Sequence, residues 1–170
     1  MVAIKRKNNF THTISMLVAN KPGVLVRIAM AFARRGFNID SLVVSPSANE
    51  RFSRMTITAQ GDPETLDQII HQANKLIDVV HAWEHNDAEA IHSELTLFKL
   101  RKKAEIKKIV TGLMKPFQAR VISDSDGYFI LELVGSTEEL DQAEKILKKY
   151  GIVEMVRTGK VVMVKGQQAT

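Results

Sequence analysis

Asn20-Lys21-Pro22-Gly23-Val24-Leu25 and, past a helix, Arg35-Gly36-Phe37-Asn38-Ile39 bound a segment that reads as strand end, tight turn, helix, helix stop and next strand. Pro22 has its φ already set near the helical value and has no N–H to leave unpaired, which suits a first helical turn. Gly23 removes a side chain where something must come close to the backbone. Val24, Leu25, Ile28, Ala29 and Phe32 recur at helical spacing and form one apolar face. Gly36 is placed for the left-handed conformation that stops a helix. The helix therefore opens on a glycine, with free N–H groups and the positive end of its dipole outward, and such a terminus can hold a carboxylate or a phosphate. The same spacing also describes an ordinary strand–turn–helix corner, a common connection in αβ domains.

On either side of this segment the pattern continues. Residues 10–19 alternate, with Ile14, Met16 and Val18 on one face, and form a first strand. A second strand is expected over 38–45, a turn at Pro46-Ser47-Ala48-Asn49, and a third strand over 52–59. Asp62-Pro63 is a helix start with a carboxylate cap, and Leu66, Ile69, Ile70, Ala73 and Leu76 supply that helix's apolar face. A fourth strand over 77–84 completes the order β-α-β-β-α-β, the split pattern of a ferredoxin-like fold. After a short polar linker the order repeats. A strand over 95–100 leads to a helix lined by Ile106, Ile109, Val110, Leu113 and Met114, which Lys115-Pro116 ends. Strands over 117–122 and 128–134 flank Asp124-Ser125-Asp126-Gly127. Ser136 and Glu139 make a capping box for a helix with Leu140, Ala143, Ile146, Leu147 and Tyr150 on one face and Gly151 as its stop. Strands over 152–156 and 161–164 flank Arg157-Thr158-Gly159. The expected fold is α+β, with two ferredoxin-like βαββαβ domains in tandem: a loose tail over 1–9, a first domain over 10–86, a linker over 87–91 and a second domain over 92–170. The repeat is one of element order. Arg101-Lys102-Lys103-Ala104 stands where the first domain has Asn20-Lys21-Pro22-Gly23, so a ligand site at the first turn has no counterpart in the second.

With 170 residues, 45% hydrophobic and 25% charged, the composition is that of a folded globular protein. No apolar run approaches the roughly 20 residues of a membrane span, and the basic N-terminus lacks the apolar core of an export signal. Cysteine is absent, which excludes disulfides, thiolate catalysis and cysteine–zinc sites and fits a cytoplasmic location. The net charge of +5 permits nucleic acid or acidic protein surfaces as partners. His12, His71, His81, His85 and His92 are scattered. The group His81, His85, Asp87 and His92 has no four-ligand spacing, so no metal site is expected. Phosphate-binding loops, nucleophile elbows and dinucleotide fingerprints are missing, and no catalytic residue is assigned. Asp124, Asp126 and Gly127 lack the later ligands of a calcium loop and read as a hairpin turn. The rival reading is a nucleic-acid-binding tandem ferredoxin-like module, because RNA-recognition domains share this element order and stack bases on central-strand aromatics. The first domain offers only Met16 and Met55 at such positions. The second offers Phe98 and Tyr128, near Arg101, Lys102, Lys103, Lys107 and Lys108, and a lysine face opposite an apolar stripe is ordinarily just solvated.

Asn20 and Asn38 fall at opposite ends of the helix that joins their strands, so within one chain they cannot readily reach one ligand. Across a two-fold dimer they can, which gives two equivalent sites between two copies. The residues of this region resemble a known family. Asn20 to Leu25, Phe32-Ala33-Arg34-Arg35-Gly36-Phe37-Asn38-Ile39-Asp40-Ser41-Leu42, Ser53-Arg54-Met55-Thr56-Ile57 and Lys75-Leu76-Ile77-Asp78-Val79 are similar to an ACT domain. More narrowly they resemble the regulatory small subunits of acetohydroxyacid synthase, also called acetolactate synthase. Glu94-Leu95-Thr96-Leu97-Phe98-Lys99-Leu100 and Arg157-Thr158-Gly159 carry the resemblance through the second domain. The resemblance implies a non-catalytic regulatory subunit that forms a homodimer through its ACT domain, binds the end-product valine and passes feedback inhibition to a large catalytic subunit, which it activates when valine is absent. Thiamine diphosphate, magnesium and FAD are implied for that partner, and no cofactor for this chain. The implied effector site is Asn20, Gly23 and Val24 of one chain with Asn38 and Ile39 of its neighbour. The basic tail and the lysine-rich segment 101–108 depart from the family's pattern.

From the missing nucleophile, metal and cofactor motifs it follows that the chain alone turns nothing over. Incubation with pyruvate, thiamine diphosphate, magnesium and FAD should yield no acetolactate until a catalytic subunit is added. A colorimetric acetolactate assay checks this, and turnover by the pure chain would contradict it.

Overall fold

Alternation in the first strand and helical spacing after it produce two helices on one face of a four-stranded sheet. The structure, a computed structural model, describes residues 10–85, 89–102, 112 and 117–166. The expected tail, Asp87 and Ala88 of the linker, the helix lined by Ile106, Ile109, Val110, Leu113 and Met114 with its Lys115-Pro116 stop, and Lys103, Lys107 and Lys108 lie outside the described residues. The first unit runs β1 (Phe10–Ala19), α1 (Val24–Ala33), β2 (Ile39–Pro46), β3 (Phe52–Gly61), α2 (Pro63–Ala73) and β4 (Val79–Glu84). The sheet order is β2-β3-β1-β4, with the two central strands antiparallel and in register from Phe10 opposite Gly61 to Ala19 opposite Phe52.

Ile14, Met16 and Val18 share a face with Met55 and Ile57, and that face packs against Val24, Ile28 and Phe32 of α1 and Leu66, Ile69 and Ala73 of α2. Each large apolar side chain buried there contributes about 1.5–3 kcal/mol relative to exposure. Leu25, expected on the core face of α1, is instead 42% exposed. Helix α1 is apolar on nearly all sides, and only the Val24–Ile28–Phe32 row fits beneath it. At the start of α2 the Asp62 carboxylate accepts the Thr65 N–H at 2.9 Å and Pro63 occupies the first turn, as the sequence indicates. Asn74 then clamps β4, donating to Ala82 O and accepting from Ala82 N–H, both at 2.8 Å.

The second unit contains β5 (Ala90–Arg101), β6 (Arg120–Ser125), β7 (Tyr128–Gly135), α3 (Thr137–Lys148) and β8 (Ile152–Arg157), with sheet order β6-β7-β5-β8. The β6–β7 hairpin turns on Asp126 and Gly127 alone, at φ 51° and 79°. Such a two-residue turn matches the twist of the flanking strands, which is why β6 runs on to Ser125 instead of stopping near 122. The capping box of Ser136 and Glu139 opens α3. Phe98, Leu100, Phe129, Leu131, Leu133, Leu140, Ala143 and Leu147 form its core.

One unit ends at Ile91 and takes in the chain from Lys160 onward; the other spans His92–Gly159. The stretch from Lys160, with β9 (Val161–Val164), groups by contacts with the first unit. Lys165 N–H donates to Glu89 O at 2.9 Å, and Lys160 Nζ reaches Thr13 Oγ1 at 3.5 Å. Met16, Met55 and Phe98 are buried in the helix-facing cores, so none of them can stack a base, whereas Tyr128 is half-buried with Lys99 Nζ 5.4 Å from its ring centroid. No helix among the described residues is long and apolar enough to cross a membrane.

The second unit is locked by Arg157. Its Nε donates to the buried Glu94 carboxylate at 2.5 Å, one terminal nitrogen to Asp141 at 2.6 Å and the other to Thr137 O at 3.3 Å, while Thr137 Oγ1 also donates to Glu94. Burial alone would lower the Arg157 pKa, but hydrogen bonds to Glu94 and Asp141, and their charges, raise it above the ordinary arginine value. Arg157→Met would leave Glu94, 4% exposed, without its counter-charge. The expected loss is about 3–5 kcal/mol. Denaturant unfolding of the two proteins measures it; a loss below about 1 kcal/mol would mean the pair is not a buried lock.

Candidate functional site

Strand β1 ends where its backbone is held on both sides: Ala19 N–H donates to Asp78 O at 2.7 Å and Asn20 N–H to Arg51 O at 2.8 Å. The Asn20 amide reaches across to Glu50 O at 3.0 Å, which fixes the side chain on the β2–β3 turn. The chain then reverses through Lys21-Pro22-Gly23-Val24. Gly23 sits at φ 81°, ψ −8°, and Val24 N–H points back to Lys21 O at 3.5 Å. Proline followed by a glycine with positive φ is the signature of a type II turn. Pro22 thus belongs to the turn and not to the first helical turn expected from the sequence, and Gly23 serves as N-cap.

Helix α1 starts without a capping side chain and without an acidic residue in its first turn. The N–H groups of Gly23, Leu25 and Val26 have no partner among the described residues, since the first helical bond is Arg27 N–H to Gly23 O at 3.2 Å. Four N–H groups at any helix start lack intrahelical acceptors, and here they face outward with the dipole's positive end. Arg27 lies over the turn: a Cβ on Gly23 would sit 3.3 Å from its guanidinium, which also pairs with Asp78. Its position one turn after Gly23 was readable in the sequence, because residues four apart share a helix face. The sequence reading did not single it out.

The other end of α1 closes with Gly36 at φ 71°, Phe37 N–H bonding to Phe32 O at 3.1 Å and Gly36 N–H to Ala33 O at 3.0 Å. This is the paired-bond helix stop that a left-handed glycine permits. Phe37 folds onto the core and its ring lies directly against Gly61. Asn38 is exposed, with its amide 3.3 Å from the Asp40 carboxylate, and Ile39 is half-buried against the core. Beside Asn38 opens a cleft of about 560 Å³ lined by Arg35, Phe37, Asn38, Asp40, Gln60 and Asp62 among others.

The structure brings Asn20, Gly23 and Val24 together at one end of the sheet and Asn38 with Ile39 at the other, and it does not bring the two groups together within one chain. Ile39 is opposite Ala59, whereas Ala19 is opposite Phe52. The distance along β3 between those levels is roughly 24 Å at about 3.4 Å per residue. Strand β2 is an edge strand, and Leu25, Val26 and Met30 on α1 and Val44 on β2 are exposed, at 42%, 61%, 46% and 45%. His81 and His85 flank Trp83, stacked at 4.6 Å and edge-on at 5.5 Å, and no cluster able to hold a metal occurs among the described residues.

Residues 14–81 match the AHAS small subunit-like ACT domain family, and residues 93–166 match the family described as small subunit of acetolactate synthase. A protein of Archaeoglobus fulgidus named as a probable acetolactate synthase small subunit is 40% identical over 157 residues, 92% of this chain and 98% of that one. The acetolactate synthase small subunit of Mycolicibacterium smegmatis is 38% identical, with 92% of each chain covered. The crystal structure of the acetolactate synthase small subunit from Thermotoga maritima superimposes with a TM-score of 0.83 at 35% identity, covering 94% of this chain and 99% of that one.

The Phe37–Gly61 contact fixes the segment that carries Asn38. A side chain at Gly61 would occupy the space of the Phe37 ring. Gly61→Ala should cost about 1–3 kcal/mol as an overpacked core position. A lowered melting temperature with an altered Phe37 ring environment by NMR is the expected outcome, and an unchanged ring would show the contact to be loose.

Proposed function

The chain belongs to the acetolactate synthase small-subunit family, and from that membership we propose that it binds valine at two equivalent sites between two copies of its ACT domain. It is a regulatory subunit, and catalysis lies in the large subunit. Valine bound at the shared site passes feedback inhibition to that partner, and the unliganded chain raises the partner's activity. Thiamine diphosphate, magnesium and FAD stay with the large subunit, and the complex works in the cytoplasm.

The observation that carries this reading is the separation of the two groups of site residues beside a free sheet edge. Pro46, the end of β2, is level with Ser53 and through it with Val18 near the end of β1. Antiparallel pairing of β2 with the same strand of a second copy would therefore set the start of one β2, with Asn38 and Ile39, beside the partner's end of the sheet, where the Asn20–Gly23 turn lies. An unpaired edge invites such pairing, and the exposed apolar residues of α1 favour burial against a second copy. The N–H groups of Gly23, Leu25 and Val26 suit a carboxylate, the asparagines suit the polar groups of an amino acid, and Ile39 suits a branched side chain.

Gly23→Asp tests the reading, with calorimetric valine titration of the full chain and inhibition assays on the reconstituted complex. A carboxylate at the turn would repel that of the effector by roughly 4 kcal/mol at ~4 Å and an effective dielectric of about 20. The dipole gain is only about 1–2 kcal/mol, so the effector should be excluded even with Arg27 offsetting part of the charge. The left-handed conformation costs a non-glycine residue roughly 1–2 kcal/mol, so a small drop in melting temperature is expected. Activation should persist while valine inhibition disappears. An unchanged valine midpoint would remove the site from this turn.

A further inference from the structure

An amino acid differs from the 2-oxo acid with the same side chain only in its α-ammonium, and a sensor of the one must ignore the other. The turn at Gly23 supplies donors, which suit a carboxylate common to both. Acceptors for an ammonium must come from the other half of the site. Among the groups lining the cleft beside Asn38 are two carboxylates, Asp40 and Asp62. Asp62 is taken up by the cap of α2, accepting from Thr65 N–H and Thr65 Oγ1, each at 2.9 Å. Asp40 is exposed and receives one long bond, 3.3 Å from Asn38 Nδ2. The Asn38 amide that makes this bond keeps its carbonyl oxygen as a further acceptor. Arg35 lines the same cleft and forms no ion pair among the described residues, so the cleft as a whole does not repel a ligand carboxylate.

We infer that Asp40, with the Asn38 carbonyl oxygen, receives the α-ammonium of the effector and makes the site selective for an amino acid over its 2-oxo acid. This rests on the valine reading above. Asp40 follows Ile39 at the bulge where the β2–β3 register shifts between Ile39 and Ser41, which frees its side chain from strict alternation.

The test is calorimetry on the full chain with valine and with 3-methyl-2-oxobutanoate, comparing the wild type with Asp40→Asn. The wild type should bind valine and discriminate strongly against the oxo acid. Asp40→Asn should weaken valine by about tenfold or more, the size of one charge-assisted hydrogen bond, and leave the oxo acid no weaker. An unchanged valine affinity, or equal weakening of both ligands, overturns the assignment of Asp40 and leaves the valine site standing. A wild type that binds no valine overturns the valine reading itself, and this assignment with it.

Discussion

A glycine held at φ 81° between Pro22 and Val24 sets where α1 begins and which of its groups face outward. With an ordinary residue there, the turn would be strained by the contact between Cβ and the following carbonyl. With proline before it, the chain has little choice but a type II turn, and the helix leaves that turn with no side chain covering its first N–H groups. The same glycine leaves room for the Arg27 guanidinium above the turn. The donor half of the proposed site, at the start of α1, depends on this geometry. The anchoring of Asn20 to the β2–β3 turn and of Ala19 to Asp78 O serves to keep the turn in place.

The helix that starts there has more apolar surface than its own domain uses. Val24, Ile28 and Phe32 fill the core, while Leu25, Val26 and Met30 remain exposed. At about 25 cal/mol per Å², leaving such side chains in water forfeits stabilisation that a covered face would recover. In the same unit, β2 is an edge strand that has no neighbour on one side among the described residues. Both features weaken an isolated copy, and a second copy packed on them would relieve them. Effector binding at a junction of this kind would couple ligand occupancy to the geometry between copies, which a site enclosed within one domain could not do.

Element order was legible in the sequence because alternation, helical spacing and the caps agreed with one another. Asp62-Pro63, the Ser136–Glu139 capping box and Gly36 each mark a boundary found in the structure. Three things were not legible. Pro22-Gly23 fits a first helical turn and a type II turn equally well, and only the torsion at Gly23 separates them. Leu25 has the right spacing for a core face, but on a helix that is apolar almost all round the spacing cannot say which row is buried. The grouping of β9 with the first unit depends on contacts between residues far apart in the chain, such as Lys160 with Thr13, to which local pattern is blind. In the site itself, the quoted motifs held Asn20, Gly23, Val24, Asn38 and Ile39. Asp40 stood inside the same run, and what singles it out is spatial: the other carboxylate in the cleft is already taken up by a cap.

The two units share a topology and use their polar residues in opposite ways. In the second, the charged groups near the start of α3 and the end of β8 are turned on one another: Arg157 is held by Glu94, Asp141 and Thr137 O, and its hydrogen-bonding capacity goes into the fold. In the first, the corresponding resources are left open. The α1 terminus has no capping side chain, and the Asp40 carboxylate and the Arg35 guanidinium carry no ion pair among the described residues. A buried, satisfied network specifies one rigid arrangement, whereas donors and acceptors left facing water keep their interaction energy available for a ligand. The sequences at the corresponding positions diverge as well, Asn20-Lys21-Pro22-Gly23 in one and Arg101-Lys102-Lys103-Ala104 in the other. Only the first sequence can build a bare helix terminus behind a type II turn. The duplicated topology therefore does not imply a duplicated site, and the second unit is free to be selected for stability.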